Sequence, residues 1–334
     1  MRVLIIGGTG LISRGVIRHL LARSAEVAML NRGRRLEGFE FKDVEQISLD
    51  RENLPEFERV GERNFDVVID MICFTPAQAE MDVRAFGGRC GHFIFCSTVC
   101  TYGTKIPGGV LVDETFKQEP ISGYGRNKLA AETVFRAAHA KGTMPCTIIR
   151  PSHTYGPDIP LIDNLEPDPV AWDRIQRGLP ILCAGDGLGL WVTTHRDDCG
   201  KLFAYAAMNP QTFGQDYNAT RDHVFTWRDY LAEVGAALGK AVHVLFMPAD
   251  WIVSHDPRRF NLLKEITQFH GAYDSRKARR DVPQFNCEID FVRGATRTLD
   301  ERRHRKLWRS CENDPVYESM IQKALSLGIG AIAL

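Results

Sequence analysis

Residues Val3–Ser13, near the amino terminus, have the sequence VLIIGGTGLIS. The apolar run Val3–Ile6 leads into a glycine-rich turn, and Leu11–Ala22 then has the spacing of an amphipathic helix. Glycine lets the backbone approach a ligand closely because it has no Cβ. A helix N-terminus offers free N–H groups and the positive end of the helix dipole. This order of strand, glycine turn and helix predicts a pyrophosphate site for a dinucleotide; the alternative is a tight turn without a ligand.

Short apolar runs alternate with amphipathic stretches through the first half of the chain. The predicted strands are Val3–Ile6, Glu26–Leu30, Glu45–Leu49, Asp66–Ile72, His92–Cys96 and Cys146–Ile149. The predicted helices among them are Leu11–Ala22, Pro76–Phe86 and Asn127–Ala140, with later ones at Pro169–Arg177, Gly200–Met208 and Thr226–Leu238. Strands that alternate with helices predict βαβ units and an α/β fold with a parallel sheet covered on both faces.

The composition is that of a globular protein. The 334 residues include 42 Lys and Arg against 42 Asp and Glu, with 44% hydrophobic residues, which allows one large domain or two modest ones. The balanced charge lowers the expectation of a nucleic-acid partner, because phosphate binding needs positive charge. The apolar runs are strand-sized, so no membrane association is expected. The first strand begins directly after Met1-Arg2, so no secretory signal is expected.

The nine cysteines are interpreted as thiols, because their number is odd and nothing marks the chain as secreted. Several lie in apolar strand-like runs, where cysteine behaves as a small hydrophobe. Metal binding is an alternative role for Cys96 and Cys100. No matching Cys/His pair follows at zinc spacing, so no metal is expected. A cytoplasmic location fits this cysteine usage.

The end of the second predicted strand bears on the choice of dinucleotide. An NAD site usually has Asp or Glu there for the ribose hydroxyls, whereas this chain has Asn31 followed by Arg32. Arg14 lies at the start of the first helix, and two guanidinium groups suit a 2′-phosphate. NADP is therefore favoured and NAD remains possible. Asp50 and Arg51, after the third strand, are expected to meet the adenine.

Tyr124 and Lys128 are four residues apart, which puts both side chains on one face of a helix. A tyrosine with its usual pKa near 10 is a poor base at neutral pH, but a neighbouring ammonium and a positive nicotinamide ring lower that pKa. The phenolate then takes a proton from a substrate hydroxyl while hydride leaves the carbon. Upstream, Ser97 and Thr98 follow a strand, and a hydroxyl there is suited to hold the substrate oxygen. The alternative role of this pair is local capping of the backbone.

Residues 1–240 resemble the short-chain dehydrogenase/reductase superfamily, and within it the extended NAD-dependent epimerase/dehydratase family. The matching motifs are Gly7, Gly10 and Ser13 on GxxGxxG, Tyr124–Glu132 on the Tyr–Lys helix, Arg150–Pro157 on RPxNVYGP and His195–Asp198 on HVDD. The resemblance implies Thr98 as the catalytic hydroxyl, Tyr124 as the base and Lys128 as its support. It also implies a nucleotide-sugar substrate and a homodimer formed through helices of the nucleotide-binding domain.

The expected architecture is a doubly wound parallel (Rossmann) domain, residues 1–155 and about 190–215, with a smaller C-terminal α/β substrate domain, about 156–189 and 216–334. The residues expected to bind the dinucleotide are Gly7, Thr9, Gly10, Leu11, Ile12, Asn31, Arg32, Asp50, Arg51, Met71, Ile72, Cys73, Ser97, Tyr124, Lys128, Pro151 and Ser152. Those expected to bind substrate are Thr98, Cys100, His153, Trp191 and Arg196.

The chain departs from the family pattern at three points. His153 stands where the family often has a substrate-binding Asn, and Trp191 stands near a usual pyrophosphate-binding Arg. Val99-Cys100 follows Thr98 where the 4,6-dehydratases have Asp-Glu, which disfavours dehydration.

Three functions are therefore considered. The first is epimerisation of a nucleotide sugar through a transient ketone. The second is net NADP-dependent oxidation or reduction of a related sugar or nucleoside. The third is a catalytically silent RNA-binding relative, which the charge balance and the intact catalytic residues disfavour. Arginines concentrated between Arg293 and Arg309 are interpreted as a solvated helix face or, alternatively, a phosphate or partner site.

Overall fold

Parallel strands dominate the computed structural model, which describes residues 1–33 and 39–334. The strands are β1 (Arg2–Ile6), β2 (Glu26–Asn31), β3 (Glu45–Ser48), β4 (Val67–Asp70), β5 (His92–Cys96), β6 (Cys146–Pro151), β7 (His153–Tyr155), β8 (Ile181–Ala184), β9 (Leu190–Trp191), β10 (Thr193–His195), β11 (Asp216–Ala219), β12 (Phe225–Thr226), β13 (His243–Met247) and β14 (Ile332–Ala333).

Helices connect most of these strands. They are α1 (Leu11–Ala22), α2 (Leu54–Val60), α3 (Pro76–Phe86), α4 (Gly123–Ala140), α5 (Ala171–Gln176), α6 (Arg196–Ala206), α7 (Trp227–Leu238), α8 (Ala249–His255), α9 (Arg276–Asp281), α10 (Phe291–His304) and α11 (Pro315–Ser326). Short 3-10 turns cover Gly61–Arg63, Val99–Tyr102 and Pro210–Thr212, and a π-helix covers Leu263–Thr267.

Seven strands form one parallel sheet in the order β3-β2-β1-β4-β5-β6-β11. Strands β2 and β3 are added on one side of β1, and β4, β5, β6 and β11 on the other, so the order of strands reverses between β1 and β4. In open α/β sheets, ligands bind at the carboxyl ends of the strands at such a switch point. The predicted doubly wound fold is confirmed, and the glycine turn follows β1 at this point.

Both faces of the sheet are covered, as the continuous apolar strands predict. Val3 and Ile5 of β1 pack into a core shared with α1 and α6. Leu4 and Ile6 face the other way, into a core with aromatic side chains of α2 and α3. This alternation follows from the two-residue period of a strand.

Helices α1 and α6 touch through their backbones. A Cβ added to Gly15 would lie 2.2 Å from the carbonyl oxygen of Arg196, and one added to Gly200 would lie 2.4 Å from the carbonyl carbon of Gly15. Neither position therefore has room for a methyl group. The contact fixes the distance between α6 and the helix that follows the glycine turn.

The smaller lobe is built around the sheet β14-β13-β8, with α5, α7, α10 and α11 around it. The predicted boundary at residue 215 falls too early, because β11 pairs with β6 and extends the large sheet. Ala278 and Val282, in and just after α9, also pack into the core beneath that sheet. The chain thus returns to the nucleotide-binding lobe twice after residue 215.

Candidate active site

The glycine turn after β1 has the geometry of a phosphate cradle. Gly7 has φ +86°, and a Cβ on it would lie 2.4 Å from Cγ2 of Ile72. The Ser13 hydroxyl, in place of the third glycine of the motif, donates to the Gly7 carbonyl oxygen at 2.8 Å and locks the turn onto the first turn of α1. Because Gly10 is the N-cap of α1, the free N–H groups of the helix start beside it. These features fit a dinucleotide pyrophosphate.

An open cleft of about 310 Å³ extends from this turn across the carboxyl ends of the strands. Most of the predicted cofactor-binding and catalytic residues meet there. The residues that line the cleft are Gly7, Gly10, Leu11, Ile12, Ser13, Met71, Ile72, Phe74, Cys96, Ser97, Thr98, Tyr124, Lys128, Pro151, Ser152 and Thr154. Thr9 lies within the turn itself, while Cys73 is buried behind the cleft.

Thr98 and Tyr124 come together at the far end of the cleft from the glycine turn. The Ser122 side chain accepts from the Gly125 N–H at 3.0 Å and so starts α4 just before Tyr124. The Thr98 hydroxyl oxygen accepts from the Cys100 N–H at 3.2 Å, so it also has the capping role considered above. Both residues line the cleft, and the Thr98 hydroxyl lies close enough to the Tyr124 phenol to lower its pKa. Both hydroxyls face the same reaction space.

Lys128 supports this arrangement through the backbone. Its ammonium donates to the carbonyl oxygens of Cys73, at 2.8 Å, and Cys96, at 2.7 Å, and its side chain is buried. It lies 5.9 Å from the centre of the Tyr124 ring. The expected lowering of the tyrosine pKa is not found in the protein alone, because burial raises the pKa of the Tyr124 phenol and only the Thr98 hydroxyl opposes it.

A buried ion-pair network contacts the segment Ser97–Tyr102 after β5, which we call the catalytic loop. Arg150, the arginine of the RP motif, donates to both carboxylate oxygens of Glu132, at 2.9 and 2.7 Å, and to Asp216 at 2.7 Å. Glu132 also accepts from the Ser97 hydroxyl at 2.5 Å. Burial alone would raise the pKa of Glu132, but the hydrogen bonds and charge of Arg150 outweigh it, so the pKa is lowered. The network ties β6, α4 and β11 to the residue that precedes Thr98.

The adenosine side of the site is only partly as expected. The Asn31 side chain accepts from the Gly33 N–H at 2.7 Å, and the Arg32 side chain is 59% exposed, 3.9 Å from Asp50. Arg14 instead faces Asp158 at 3.6 Å and is half-buried. Of the two arginines, Arg32 is therefore the more accessible.

Arg51 is not placed for the predicted adenine contact. Its side chain is buried, because its guanidinium donates to Asp70 at 2.6 Å and to Asp82 at 2.9 Å. Asp70 also accepts from the Ile72 N–H at 2.6 Å. Arg51 therefore acts beneath the cleft, where it holds the loop after β4 in position.

The predicted substrate residues divide into two groups. Cys100 and Trp191 line a small cavity beside the catalytic loop, and the His153 ring packs against Trp191 with the ring centres 5.6 Å apart. Burial lowers the pKa of His153 to about 4, so this side chain is neutral and bonds Thr193 at 2.8 Å. Arg196 lies elsewhere: it is buried in ion pairs with Asp158 and neighbouring carboxylates beside α1, away from both cavities. The expectation that it binds substrate is not supported.

The C-terminal arginines are partly engaged in ion pairs within the smaller lobe. Arg302 bonds Asp168 at 2.9 Å, and Arg309 bonds Glu166 at 3.0 Å and Asp314 at 3.1 Å. These contacts join the end of α10 and the following loop to the irregular segment before α5. Arg302 and Arg309 therefore pair with carboxylates of the same lobe and do not form the solvated helix face considered from the sequence.

Sequence reasoning missed Phe74 and Thr154 in the cleft. Phe74 is 45% exposed and stands 4.9 Å, ring centre to ammonium, from Lys128. Phe74 follows Cys73 shortly after the end of an apolar strand, and this position alone could have indicated that it lies in the cleft. Thr154 bonds the Ser152 carbonyl oxygen at 3.1 Å within the β6–β7 turn, a local contact that no spacing indicates.

This combination of a glycine cradle at the sheet switch point with paired Thr and Tyr hydroxyls defines an enzyme of the short-chain dehydrogenase/reductase class that uses a nicotinamide dinucleotide. Residues 3–220 match the model of the NAD dependent epimerase/dehydratase family. The chain belongs to this family. Within the described residues, no helix has both the length and the apolar character to cross a membrane.

Several known proteins are similar to the chain. A 2′-dehydrokanamycin reductase from Streptomyces kanamyceticus is 31% identical over 288 residues, 85% of this chain and 80% of that protein. The UDP-glucuronic acid 4-epimerase of Bacillus cereus, solved with UDP-glucuronic acid and NAD, has a TM-score of 0.72 at 19% identity over 91% of this chain and 99% of its own. The UDP-glucose 4-epimerase of Thermus thermophilus, solved with NAD, has a TM-score of 0.70 at 22% identity with the same coverage.

Proposed function

We propose that this protein is an NADP-dependent reductase that interconverts a ring ketone and its secondary alcohol on a sugar-type substrate. The observation that carries the proposal is the pairing of the Thr98 and Tyr124 hydroxyls at one end of a cleft that begins at the Gly7–Gly10 turn. The relative from S. kanamyceticus is named a reductase, which supports net reduction over epimerisation.

The chain's own residues supply the proton chemistry. When bound, the dinucleotide supplies or accepts the hydride. Because burial raises the pKa of Tyr124, its phenol is protonated at neutral pH and suited to give a proton to a carbonyl oxygen. The Thr98 hydroxyl orients the phenol and is available to the same substrate oxygen. Lys128 fixes the two loops on either side through the Cys73 and Cys96 carbonyl oxygens.

The preference for NADP rests on the end of β2. Asn31 carries no charge that would repel a 2′-phosphate, and the exposed Arg32 guanidinium is suited to bind one. Arg14 contributes less, since its side chain already faces Asp158 and Glu40.

Epimerisation of a nucleotide sugar is the second candidate. The family description and the two epimerases of similar fold favour it. The same Thr98–Tyr124 pair serves both reactions, because each passes through a ketone. Dehydration is disfavoured, since Val99 and Cys100 offer no carboxyl acid after Thr98. The homodimer and the cytoplasmic location remain predictions.

Substitution of Tyr124 by Phe tests the shared chemistry. We expect turnover, followed as NADPH consumption with 2′-dehydrokanamycin and a panel of ketosugars, to fall roughly 10²- to 10⁴-fold. NADPH affinity should change little. Tyr205→Phe, a change on α6 outside the cleft lining, is the matched control. Turnover of the Tyr124 variant at the wild-type rate would refute the mechanism.

The fate of the dinucleotide separates the two candidates. A reductase releases it in each cycle, so the purified protein should exchange NADPH freely and consume it in proportion to product. An epimerase retains it and interconverts UDP-sugars without net consumption. Tight copurification of a dinucleotide, with UDP-sugar epimers as products, would replace the reductase proposal by the epimerase.

A further inference from the structure

A small cavity of about 40 Å³ lies beside the catalytic loop, with Cys100 and Ser122 in its wall. Cys100 of its wall donates its N–H to the Thr98 hydroxyl, and Ser122 caps the helix that carries Tyr124. The wall of this cavity is therefore two residues away in sequence from each catalytic hydroxyl. The lining residues on the opposite wall are Trp191, Glu265, Ile266, Phe269, His270, Gly271 and Tyr273.

A second cavity of about 290 Å³ lies on the other side of His270, which lines both spaces. Its walls include Asp186, Trp227 and Gln268. The π-helix Leu263–Thr267 borders both cavities, and π-helical segments occur frequently at functional sites. His270 and the π-helix thus lie between the two cavities.

The charged groups of this space are acidic. Neither cavity has a lysine or an arginine among its described lining residues. Within the described part of the chain, the Glu265 carboxylate makes no ion pair or hydrogen bond, although the residue is half-buried. The Asp186 carboxylate accepts from the Leu188 N–H at 2.9 Å. A diphosphate would meet negative charge here and no compensating cation, which disfavours a nucleotide-sugar substrate.

The aromatic walls add a second, independent indication of a polar ligand. Trp191 is 7% exposed, and its indole N–H has no hydrogen-bond partner among the described residues. A buried donor of this kind is costly unless a ligand satisfies it. Aromatic faces beside a carboxylate also favour cations and the apolar faces of sugar rings.

We propose that the substrate is an amine-bearing, polyhydroxylated compound of more than one ring, whose ammonium group is bound by Glu265 between Trp191 and Tyr273. This inference rests on the proposed function, because the ketone-bearing ring must face Tyr124. The ring beyond it occupies the larger cavity, where Asp186 meets further positive charge. Substrate specificity thus depends on the acidic residues that the smaller lobe presents to the substrate.

Binding of kanamycin and of its fully N-acetylated form to the NADP-loaded protein tests the proposal by titration calorimetry. The two probes share their rings and differ in charge, so this comparison needs no variant. We expect the amine form to bind at least 10-fold more tightly and to weaken as ionic strength rises. Equal affinity of the two forms, or tighter binding of UDP-glucose than of kanamycin, would overturn the proposal.

Glu265→Gln assigns the effect to one carboxylate. A charge-assisted hydrogen bond of this kind predicts that the affinity for kanamycin falls roughly 10- to 100-fold, while the acetylated probe is unaffected. Glu56→Gln, on the exposed face of α2, is the matched control. Unchanged kanamycin affinity in the Glu265 variant would contradict the inference about the substrate. The proposed function would still hold in that case if the protein reduces a neutral ketone and this reduction depends on Tyr124. Wild-type reduction by the Tyr124→Phe variant would instead remove the proposed function.

Discussion

Replacement of Glu132 by Gln should destabilise the protein far more than any surface change. The Glu132 carboxylate is fully buried and accepts from Arg150, Ser97, Gln118 and Arg136. A glutamine keeps one acceptor oxygen, and its NH₂ group would face donors. The Arg150 guanidinium, which is also fully buried, would lose the charge of its two-point partner and keep only Asp216.

Removal of one partner of a buried ion pair costs about 3–5 kcal/mol when the other charge stays uncompensated. Because Asp216 still pairs with Arg150, we expect a loss of about 3 kcal/mol, at the lower end of that range. That is a large part of the ~5–15 kcal/mol that stabilises a typical domain. The measurement is the free energy of unfolding from urea titrations followed by circular dichroism at pH 7. At pH 7 the Glu132 carboxylate makes its full contribution to the free energy of unfolding. Folding lowers the pKa of this carboxyl, so it stabilises the protein above its unfolded pKa and loses this effect as the pH falls through its folded pKa.

Arg136→Met is the control for this experiment. Arg136 bonds the same carboxylate at 2.8 Å, but its side chain is 39% exposed. Its loss should therefore cost less than about 1 kcal/mol. If Glu132→Gln lost no more than this control, the network behind the catalytic loop would not stabilise the fold, and the reasoning would fail.

Three further outcomes are expected. Gly7→Ala should weaken NADPH binding by at least roughly 10-fold, because it strains a positive-φ residue and displaces Ile72. Gly142→Ala, with φ +69° in open space, is the control. Equal NADPH affinity in both variants would contradict the role of the glycine turn as a phosphate cradle. Arg32→Ala should lower NADP affinity roughly 10-fold and leave NAD affinity nearly unchanged, as competition titrations would measure, whereas equal losses for both would remove the NADP preference. Burial lowers the pKa of His92 to about 3 from 6.5, so the folded protein keeps it neutral while the unfolded chain protonates it, and stability is lost as the pH falls through that window. His92→Gln should make this loss, measured by urea unfolding at several pH values, shallower by about 1.4 kcal/mol per pH unit, and an unchanged slope would argue against a neutral buried histidine.

The nucleotide-binding lobe was predictable because most of its strands are continuous apolar runs that are buried on both faces of the sheet. The predicted bounds of α1, α3 and β5 agree with the structure residue for residue. The strand β11 escaped prediction, since Asp216–Ala219 has only four residues and two of them are polar. Its membership of the large sheet depends on pairing with β6, a partner more than sixty residues away in sequence, which no local pattern reports.

Within the site, the residues fixed by local motif geometry were predictable and the long charged ones were not. Gly7, Thr98 and Tyr124 lie in one cleft, as their motifs predict, because each stands at a strand end or a helix start. Arg51 and Arg196 were misjudged, since an arginine side chain reaches several ångströms and bonds whichever carboxylates the tertiary fold brings near. For Arg51 these are Asp70 and Asp82, on elements that only folding brings into contact with it.

The backbone contact of Gly15 with α6 has a consequence for how the two lobes communicate. Helix α1 starts at the glycine turn, and α6 starts directly after His195, at the end of the short strand that pairs with β7. With no compressible side chain between them, a shift of α1 towards a phosphate would be transmitted to α6 undamped. The backbone contact is therefore a rigid link through which binding at the glycine turn acts on the start of α6, next to the short strand that pairs with β7.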